Sequence, residues 1–580
     1  MQINNFNWKI GGEAGFGIMS SGIMFAKACS RAGLFIHDYS EYPSLIRGGH
    51  NTYQVYVSDK KIHSQRRVVN LLVALNSATI TEHIDELVAG SGIIGDGSRL
   101  QVPKTSLQKK KIKFYDIPLN NIAKEVGGDE VMRNTVALGA TMALVKHDFK
   151  FLTEVIRDQF AHKDEQVINQ NIKAAKSGYD YVLEHFVPQE FAFRLQSQPN
   201  KPQIVLTAND AAALGAIAAG CKFYAAYPMT PASSILHTLA EIGPKYGMVV
   251  RHAEDEISVI NMVAGAATAG VRAMLGTSGG GWALMNEGYS LAGITETPMV
   301  IIMAQRPGPA TGLPTWTEQG DLKFILNSGH GEFPRVVLAP GDQEEAFYLT
   351  QLAFNLADII QNPIIVLLDK YISESHLSLP FYDWKKLKIK RGKILSDSEA
   401  KKIGDKYRRY QVTTDGISPR ALPGQIGPVI FINSDEHDEM GFSEESAKNR
   451  IQQVNKRGKK IAKILPDLPP AALYGPKQAK ITVVGWGSVK GPILDTLSAK
   501  SLKKSVNFIH LPMVSPLPQN IGKLFKAAKN LVLIENNSTG QLSDILRAGL
   551  GVEFKRKILR YDGRPFYSED LVNEINKIKL

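Results

Sequence analysis

Residues 248–279 read MVVRHAEDEISVINMVAGAATAGVRAMLGTSG, and the reading of this stretch decides the fold. The β-rich MVVRHA predicts a strand, the acid-led run from Glu254 a helix, and RAMLGTSG a second strand that runs into glycines. Apolar or small residues fall on every face of the helix from Ile257 to Ala269, which predicts burial all round. Three acids, Glu254, Asp255 and Glu256, stand at its mouth. Unpaired N–H groups and the positive end of the helix dipole account for one or two of them. The innermost, Glu256, calls for a partner that the local sequence does not supply.

The same alternation continues on either side. KFYAAYP (222–228), PMVIIMAQRP (298–307), RVVLAP (335–340) and NPIIVLLDKY (362–371) predict strands, with helical stretches such as MTPASSILHTLAEIG (229–243) between them. Short β-rich runs alternating with helices imply a mostly parallel sheet covered on both faces. Ligands of such sheets bind at the carboxyl ends of the strands. Three features fall there: Tyr227 with the Met-Thr-Pro that follows, the Glu256 segment, and Arg306 before Pro-Gly. Thr230 and Pro231 suit an N-cap and a first-turn proline, while the hydroxyl can also face a cleft. Arg306 is placed to bind an anion, its planar fork matching a carboxylate. In TSGGGWALMNE (277–287), Ser278, Gly279 and the next two glycines offer free backbone N–H groups or close approach to a planar ligand. One buried acid, one arginine, one hydroxyl and glycine backbone fit a small carboxylic acid beside a cofactor.

At 580 residues the chain has room for several domains. Residues 1–193 open with FNWKI, the turn GGEAGFG (11–17), a helix-like SSGIMFAKACSRAG (20–33) and LFIHDY (34–39), a β-loop-α-β unit. Gly11, Gly12, Gly15 and Gly17 with Asp38 are the basis of an alternative, an NAD(P)-binding dehydrogenase, although the order of the glycines departs from G-x-G-x-x-G. GDG (95–97) with Asn120 and Asn121 is similar to the GDG…N signature that holds Mg²⁺ and a diphosphate. The interval is short, and the intervening RLQVPKTSLQKKKIKF (99–114) reads as a turn and a basic hairpin, so it is taken as a decoy. RLQSQPNKPQ begins a linker over 194–204, the strand-rich domain runs over 205–384, 385–475 is a basic and poorly periodic connection, and 476–580 is a further α/β domain. The acids of DEHDE (435–439) are adjacent in sequence, so their side chains diverge and a metal site there is not expected.

The formal net charge is +12, with 44% hydrophobic and 21% charged residues. Much of the excess lies in QKKKIK (108–113), WKKLKIKRGK (384–393) and NKRGKKIAK (455–463), read as solvated surface or as a face for a phosphate-rich ligand or acidic partner. Nucleic-acid-binding motifs and base-stacking aromatics are lacking. Two cysteines, Cys29 and Cys221, cannot supply the four thiolates of an iron–sulfur cluster, and a structural disulfide is not expected. With neither an apolar run of 18 residues nor a signal-peptide pattern, a cytoplasmic location is expected.

Taken together, YPMTP, the EDE helix with its GAATAGVRAM, TSGGG, QRPGPATGLPTWTEQGDL, DEHDE, VVGWGSVKG and IENNSTGQL resemble the alpha subunit of 2-oxoacid:ferredoxin oxidoreductases. GGEAGFGI and IRGGHNTYQVYVSD resemble the gamma subunit of the same enzymes, fused ahead of alpha. The resemblance implies a multidomain α/β chain: a gamma-type domain, a pyrimidine-binding domain of the thiamine diphosphate enzymes, and a domain like the C-terminal one of transketolases. It implies that Glu256 hydrogen-bonds N1′ of the cofactor's aminopyrimidine ring, for which a carboxylate in an apolar setting that can share a proton is suited. Thr230 and Arg306, flanked by Tyr227 and Pro231, would hold the substrate, with Ser278 and Gly279 beside the cofactor. Pro307 and the SGGG run depart mildly from the family's usual glycine and SGPG. The resemblance further implies a beta subunit carrying the diphosphate, Mg²⁺ and a 4Fe-4S cluster in an (alpha-beta)₂ assembly, with ferredoxin as acceptor and coenzyme A as co-substrate. Among 2-oxoacids, 2-oxoglutarate comes first, ahead of pyruvate or a broad range.

Overall fold

A computed structural model describes residues 2–45, 48–127 and 130–578. Ile46 and Arg47 of the IRGGH motif lie outside the described residues. The chain divides into two compact units. One holds the residues up to Leu206 with Glu374–Phe381 and Tyr567–Asn573; the other holds Thr207–Ser373, Tyr382–Phe566 and the residues from Glu574 on.

The first unit is built on an eight-stranded sheet. Lys113–Asp116, Leu87–Gly95, Val69–Ala74 and Asn5–Ala14 run parallel. Gly48–Ser58, Phe35–Glu41, Leu377–Leu379 and Ile204–Leu206 follow antiparallel. Trp8, Phe25, Tyr53 and Tyr115 fill the core beneath the helices. Two of these helices, Arg133–Leu144 and Glu165–His185, cross at Gly139 and Gly178. A Cβ on either glycine would run into the other helix's backbone, at the Ala175 or the Val136 carbonyl.

This topology overturns the dehydrogenase alternative. Gly11 and Gly12 lie inside the strand Asn5–Ala14, and the strand bearing Asp38 is separated from it by Gly48–Ser58. Asp38 is also fully engaged: it accepts hydrogen bonds from the Tyr53 hydroxyl at 2.5 Å and the His376 backbone N–H at 2.6 Å. At 1% exposure, with His376 Nδ1 also 2.9 Å from its Oδ2, this carboxylate is enclosed within the fold and is not presented to a ribose. The stretch 99–114 is not a hairpin either: Lys104–Lys110 is a helix, anchored by buried Leu107 and closed by Lys111 in the left-handed conformation. Asp96 and Asn120 do meet, the amide donating at 3.4 Å, while Asn121 faces outward.

In the second unit Val249–His252, Phe223–Ala226, Ala273–Thr277, Val300–Gln305, Ile364–Asp369 and Val336–Leu338 form a parallel sheet, with Met513–Ser515 added antiparallel. Arg272, at the start of one strand, is buried in an ion pair with Asp358 at 2.9 Å. A second sheet takes the order Ala472–Tyr474, Val506–Leu511, Ile481–Trp486, Leu531–Glu535, Arg556–Leu559, parallel except at its first strand. The expectation of a multidomain α/β chain with parallel-rich sheets therefore holds.

Two helices differ from their sequence reading. Glu256–Thr268 is not buried all round: Val259, Ile260, Val263 and Ala267 face the core, while Ile257 and Met262 are 49% and 44% exposed. The small residues that suggested close packing lie partly on that open side: a Cβ placed on Gly265 would meet nothing within 4 Å. The basic stretch 455–463 is a solvated surface only in part: Lys459 and Lys463 are exposed, but Lys456, Arg457 and Lys460 are buried. It belongs to the helix Ala447–Ile464, whose buried face includes Gln453, Lys456, Arg457 and Lys460. Lys456 and Lys460 meet the carboxylate of Glu296 at 2.5 and 2.6 Å, and all three side chains are closed to solvent. Within DEHDE, Glu436 pairs with Arg457 at 2.8 Å, buried His437 lies against the Tyr410 ring, and Asp438 accepts three backbone N–H bonds.

Candidate active site

Glu256 is the first residue of its helix, and Asp255 caps it by accepting from the Ser258 N–H at 2.7 Å. The cap is thus filled by the neighbour, which leaves Glu256 free of that duty. Its side chain is 3% exposed, and Oε1 is buried with no hydrogen-bond partner. A carboxylate oxygen in that condition is costly unless a donor arrives. The space in front of it is kept by Gly281: a Cβ there would lie 2.6 Å from Glu256 Oε1 and clash with Thr277 Oγ1. Ser278, fully buried, caps the short helix Gly279–Leu284 without a side-chain bond, and its Oγ also lacks a partner. The glycines form that helix's first turn rather than preceding it, so their N–H groups are helix-terminal donors.

Thr230 does not cap a helix. The chain turns through residues 229–232 with Ala232 N–H donating to the Met229 carbonyl, and the helix begins only at Ser233. Buried Pro231 has its carbonyl held by the Asn209 amide at 2.7 Å. This turn fixes the Thr230 carbonyl, which accepts from Arg306 Nη1 at 2.8 Å. Tyr227 is 39% exposed and neighbours the His252 ring, on the outer side of the same strand end.

Arg306 lies within electrostatic range of an acid, Asp321, that its sequence context does not single out. Burial pushes Asp321 up to about 6, opposed by the arginine charge, while burial lowers Arg306 from its ordinary value and Asp321 counters it. Gly279 makes room for this acid, since a Cβ there would stand 2.8 Å from Asp321 Oδ2. The turn from Ser278 to Gly281 therefore joins two half-sites: Glu256 with its unpartnered oxygen, and Arg306 with Thr230 and Asp321. Asp321 sat within the quoted QGDL motif; an acid fifteen residues after a strand-end arginine gives no periodic signal of its own.

The loop that carries Asp321 is held from the C-terminal sheet. Gln319 donates to the Trp486 carbonyl at 2.8 Å and accepts from Asn536 N–H at 2.9 Å. Asn537 donates to the Gln319 carbonyl, and Gln541 to that of Gly320. Trp486 is braced in turn by Glu535, which burial pushes up to about 7. The motifs VVGWGSVKG and IENNSTGQL thus clamp the loop that carries Asp321.

A buried acceptor without a donor, a glycine floor in front of it and an unpartnered hydroxyl beside it fit an aromatic ring bearing a protonatable nitrogen. Gly281→Ala is expected to melt lower than the parent and to lose about 10-fold or more in cofactor affinity and activity, because its Cβ would displace Glu256 and Thr277, and a displacement of about 1 Å in a reacting group costs on the order of 100-fold. Cofactor-induced fluorescence quenching beside a thermal melt separates these effects.

The chain is also similar to known proteins. A family described as pyruvate flavodoxin/ferredoxin oxidoreductase, thiamine diphosphate-binding, matches residues 214–456. A second, pyruvate ferredoxin/flavodoxin oxidoreductase, matches residues 7–181. Fold and site thus define an oxidoreductase subunit with a thiamine-type domain. The 2-oxoacid:ferredoxin oxidoreductase subunit alpha of Saccharolobus solfataricus is 33% identical, over 99% of this chain and 97% of that one. That of Sulfolobus sp. is 32% identical over 99% and 96%. The solved 2-oxoglutarate:ferredoxin oxidoreductase from Magnetococcus marinus, with 2-oxoglutarate, coenzyme A and succinyl-CoA bound, superposes with a TM-score of 0.90 at 32% identity, covering 99% of each chain. The chain belongs to the alpha subunits of the 2-oxoacid:ferredoxin oxidoreductases. No helix among the described residues is long and apolar enough to cross a membrane.

Proposed function

We propose that this chain provides the pyrimidine-side half of a thiamine diphosphate site and, with a beta subunit, oxidises 2-oxoglutarate with coenzyme A to an acyl-CoA and CO₂, passing two electrons singly to ferredoxin. The observation that carries it is the buried Glu256 Oε1 with no partner, packed against Gly281, where any side chain would push the carboxylate aside. Thiamine diphosphate, when bound, supplies a nucleophilic carbon and an electron sink for decarboxylation. Glu256 holds a proton against the ring nitrogen, Ser278 and Gly279 border the ring, and the apolar face of Val259, Ile260 and Val263 excludes water behind the carboxylate. Arg306 binds the substrate carboxylate, Thr230 and Pro231 shape that wall with Tyr227 at its rim, and Asp321 keeps the guanidinium oriented.

The choice of 2-oxoglutarate is supported by the relatives: besides the Magnetococcus structure, the 2-oxoglutarate oxidoreductase subunit KorA of Mycobacterium tuberculosis is 28% identical over 98% of this chain and 91% of its own. Cys29 and Cys221 are buried free thiols, both pushed up by burial, the second to about 12. We therefore assign the 4Fe-4S cluster, with the diphosphate and Mg²⁺, to the beta chain of an (alpha-beta)₂ complex in the reducing cytoplasm. The open side of the glutamate helix, with Ile257 and Met262, is the face we assign to that beta chain, because the protein completing the pocket must approach the residue at the helix mouth. We read residues 1–193 as a gamma-type domain that helps bind coenzyme A, 205–384 as the pyrimidine-binding domain and 476–580 as the transketolase C-terminal-like domain, with 194–204 and 385–475 connecting them.

The test is anaerobic viologen reduction by the complex isolated through this chain, across a panel of 2-oxoacids with thiamine diphosphate, Mg²⁺ and coenzyme A. Reduction that requires coenzyme A and favours 2-oxoglutarate is expected. Arg306→Lys should raise KM for the oxoacid about 10-fold or more, because a point charge cannot make the paired contact of a guanidinium. Reduction by NAD(P)H instead of an oxoacid would overturn the reading.

A further inference from the structure

The N-terminal unit holds a polar cluster that the oxidoreductase reading does not use. His50 lies on the strand Gly48–Ser58, while Glu82 and His83 end the helix Ser77–His83. The two imidazoles present Nε2 to Nε2 at 2.8 Å, and Glu82 Oε2 is 3.7 Å from His50 Nε2. One donor atom from each of the three residues lies within 4.8 Å of the others. We propose that His50, His83 and Glu82 bind a divalent transition-metal ion of the zinc class.

The surroundings are those of a held ligand set. His83 Nδ1 stands 3.0 Å from Glu86 Oε1, and Glu86 Oε2 receives Lys9 Nζ at 2.5 Å. Glu86 is ion-paired with Lys9, whose Nζ also lies 3.4 Å from His83 Nδ1. An ionised Glu86 accepts the His83 Nδ1 proton, so that His83 Nε2 presents its lone pair toward His50. A carboxylate behind an imidazole is the usual way a metal-binding ring is oriented and made more basic. The bond between the rings then uses the proton on His50 Nε2, which leaves His50 Nδ1 bare, and that nitrogen is buried without a partner. The Lys9 ammonium beside the cluster is already neutralised by Glu86.

Metal entry requires the His50 proton to move from Nε2 to Nδ1 or to solvent, and the two Nε2 atoms to part to about 3.3 Å, the spacing of tetrahedral ligands at about 2.0–2.1 Å from zinc. Glu82, about half exposed, is free to swing in. Gly11 seats the His50 ring, since a Cβ there would lie 3.2 Å from His50 Cε1 and 2.7 Å from Thr79 Cγ2. Two nitrogens and one oxygen suit zinc and its neighbours rather than calcium or magnesium, and they leave a coordination position open.

The test uses the full chain with its copurifying partner, stripped with chelator and titrated with Zn(II) alone, with metal counted by mass spectrometry, and separately with Co(II) followed by visible absorption. The parent is expected to hold one zinc more per chain than His50→Gln/His83→Gln and to give the intense bands of four-coordinate cobalt. Glu86→Gln should weaken zinc binding 10- to 100-fold. Zinc should also protect His50 and His83 of the parent from diethylpyrocarbonate, a readout that does not depend on the variants folding. Equal zinc in parent and double variant, or modification of both histidines unaffected by zinc, would overturn the site.

Discussion

Glu256→Gln is expected to assemble and melt like the parent yet reduce viologen about 100- to 10,000-fold more slowly, the range for loss of a positioned acid–base group. Glutamine keeps the length and a hydrogen-bonding oxygen but cannot exchange a proton, so the loss belongs in kcat with little change in KM for the oxoacid. A second readout is needed, because a broken site would also be slow. Thiamine diphosphate quenching should show binding retained, weakened by no more than the charge-assisted bond the carboxylate makes, about 1.5–3 kcal/mol. Activity within a few-fold of the parent would mean that another acid carries the proton, and Asp321 would be the next to replace.

Glu296→Gln is expected to produce the largest loss of stability. Glu296 is completely buried, its backbone is in the left-handed region at φ 53°, and Arg409 donates to its carbonyl at 2.8 Å. Removing the charge leaves Lys456 and Lys460 buried without a counter-ion, a change that costs about 3–5 kcal/mol. Burial alone would raise the Glu296 pKa, but Lys456, Lys460 and Arg409 together hold it well below the ordinary carboxylate range. A depressed folded-state pKa contributes stability that is complete above the unfolded value and is lost as pH falls through the folded one. Urea midpoints measured from neutral pH into acid should therefore fall for the parent, and the variant should start lower and lack that part of the slope. Equal midpoints at neutral pH would show that the lysines find other partners.

The parallel sheet was legible because its strands are short apolar runs that end in turn residues, and Glu256 and Arg306 were legible because they stand at such ends. What escaped the sequence has physical reasons. The helix Ala447–Ile464 buries lysine, arginine and glutamine rather than leucine, so it carries no hydrophobic period. Glu296, its counter-ion, lies about 160 residues earlier in the sequence, beyond any spacing rule. The glutamate helix is apolar or small on nearly every face, so its sequence did not mark the side on which Ile257 and Met262 are exposed. Thr230 followed the pattern of a capping residue, but the Pro231 carbonyl is held by Asn209, and the helix starts later.

The hold of Trp486, Asn536 and Asn537 on the loop after Arg306 has a consequence for how selectivity can change in this enzyme. On the roles proposed for Glu256 and Arg306, the wall opposite the acid is, in effect, set by a distant screw: residues outside the site would determine where an oxoacid's carboxylate sits. Exchange of the C-terminal module between relatives would retune substrate choice while leaving the proton chemistry at the helix mouth unaltered. Substrate range and catalytic power can therefore drift separately along one chain.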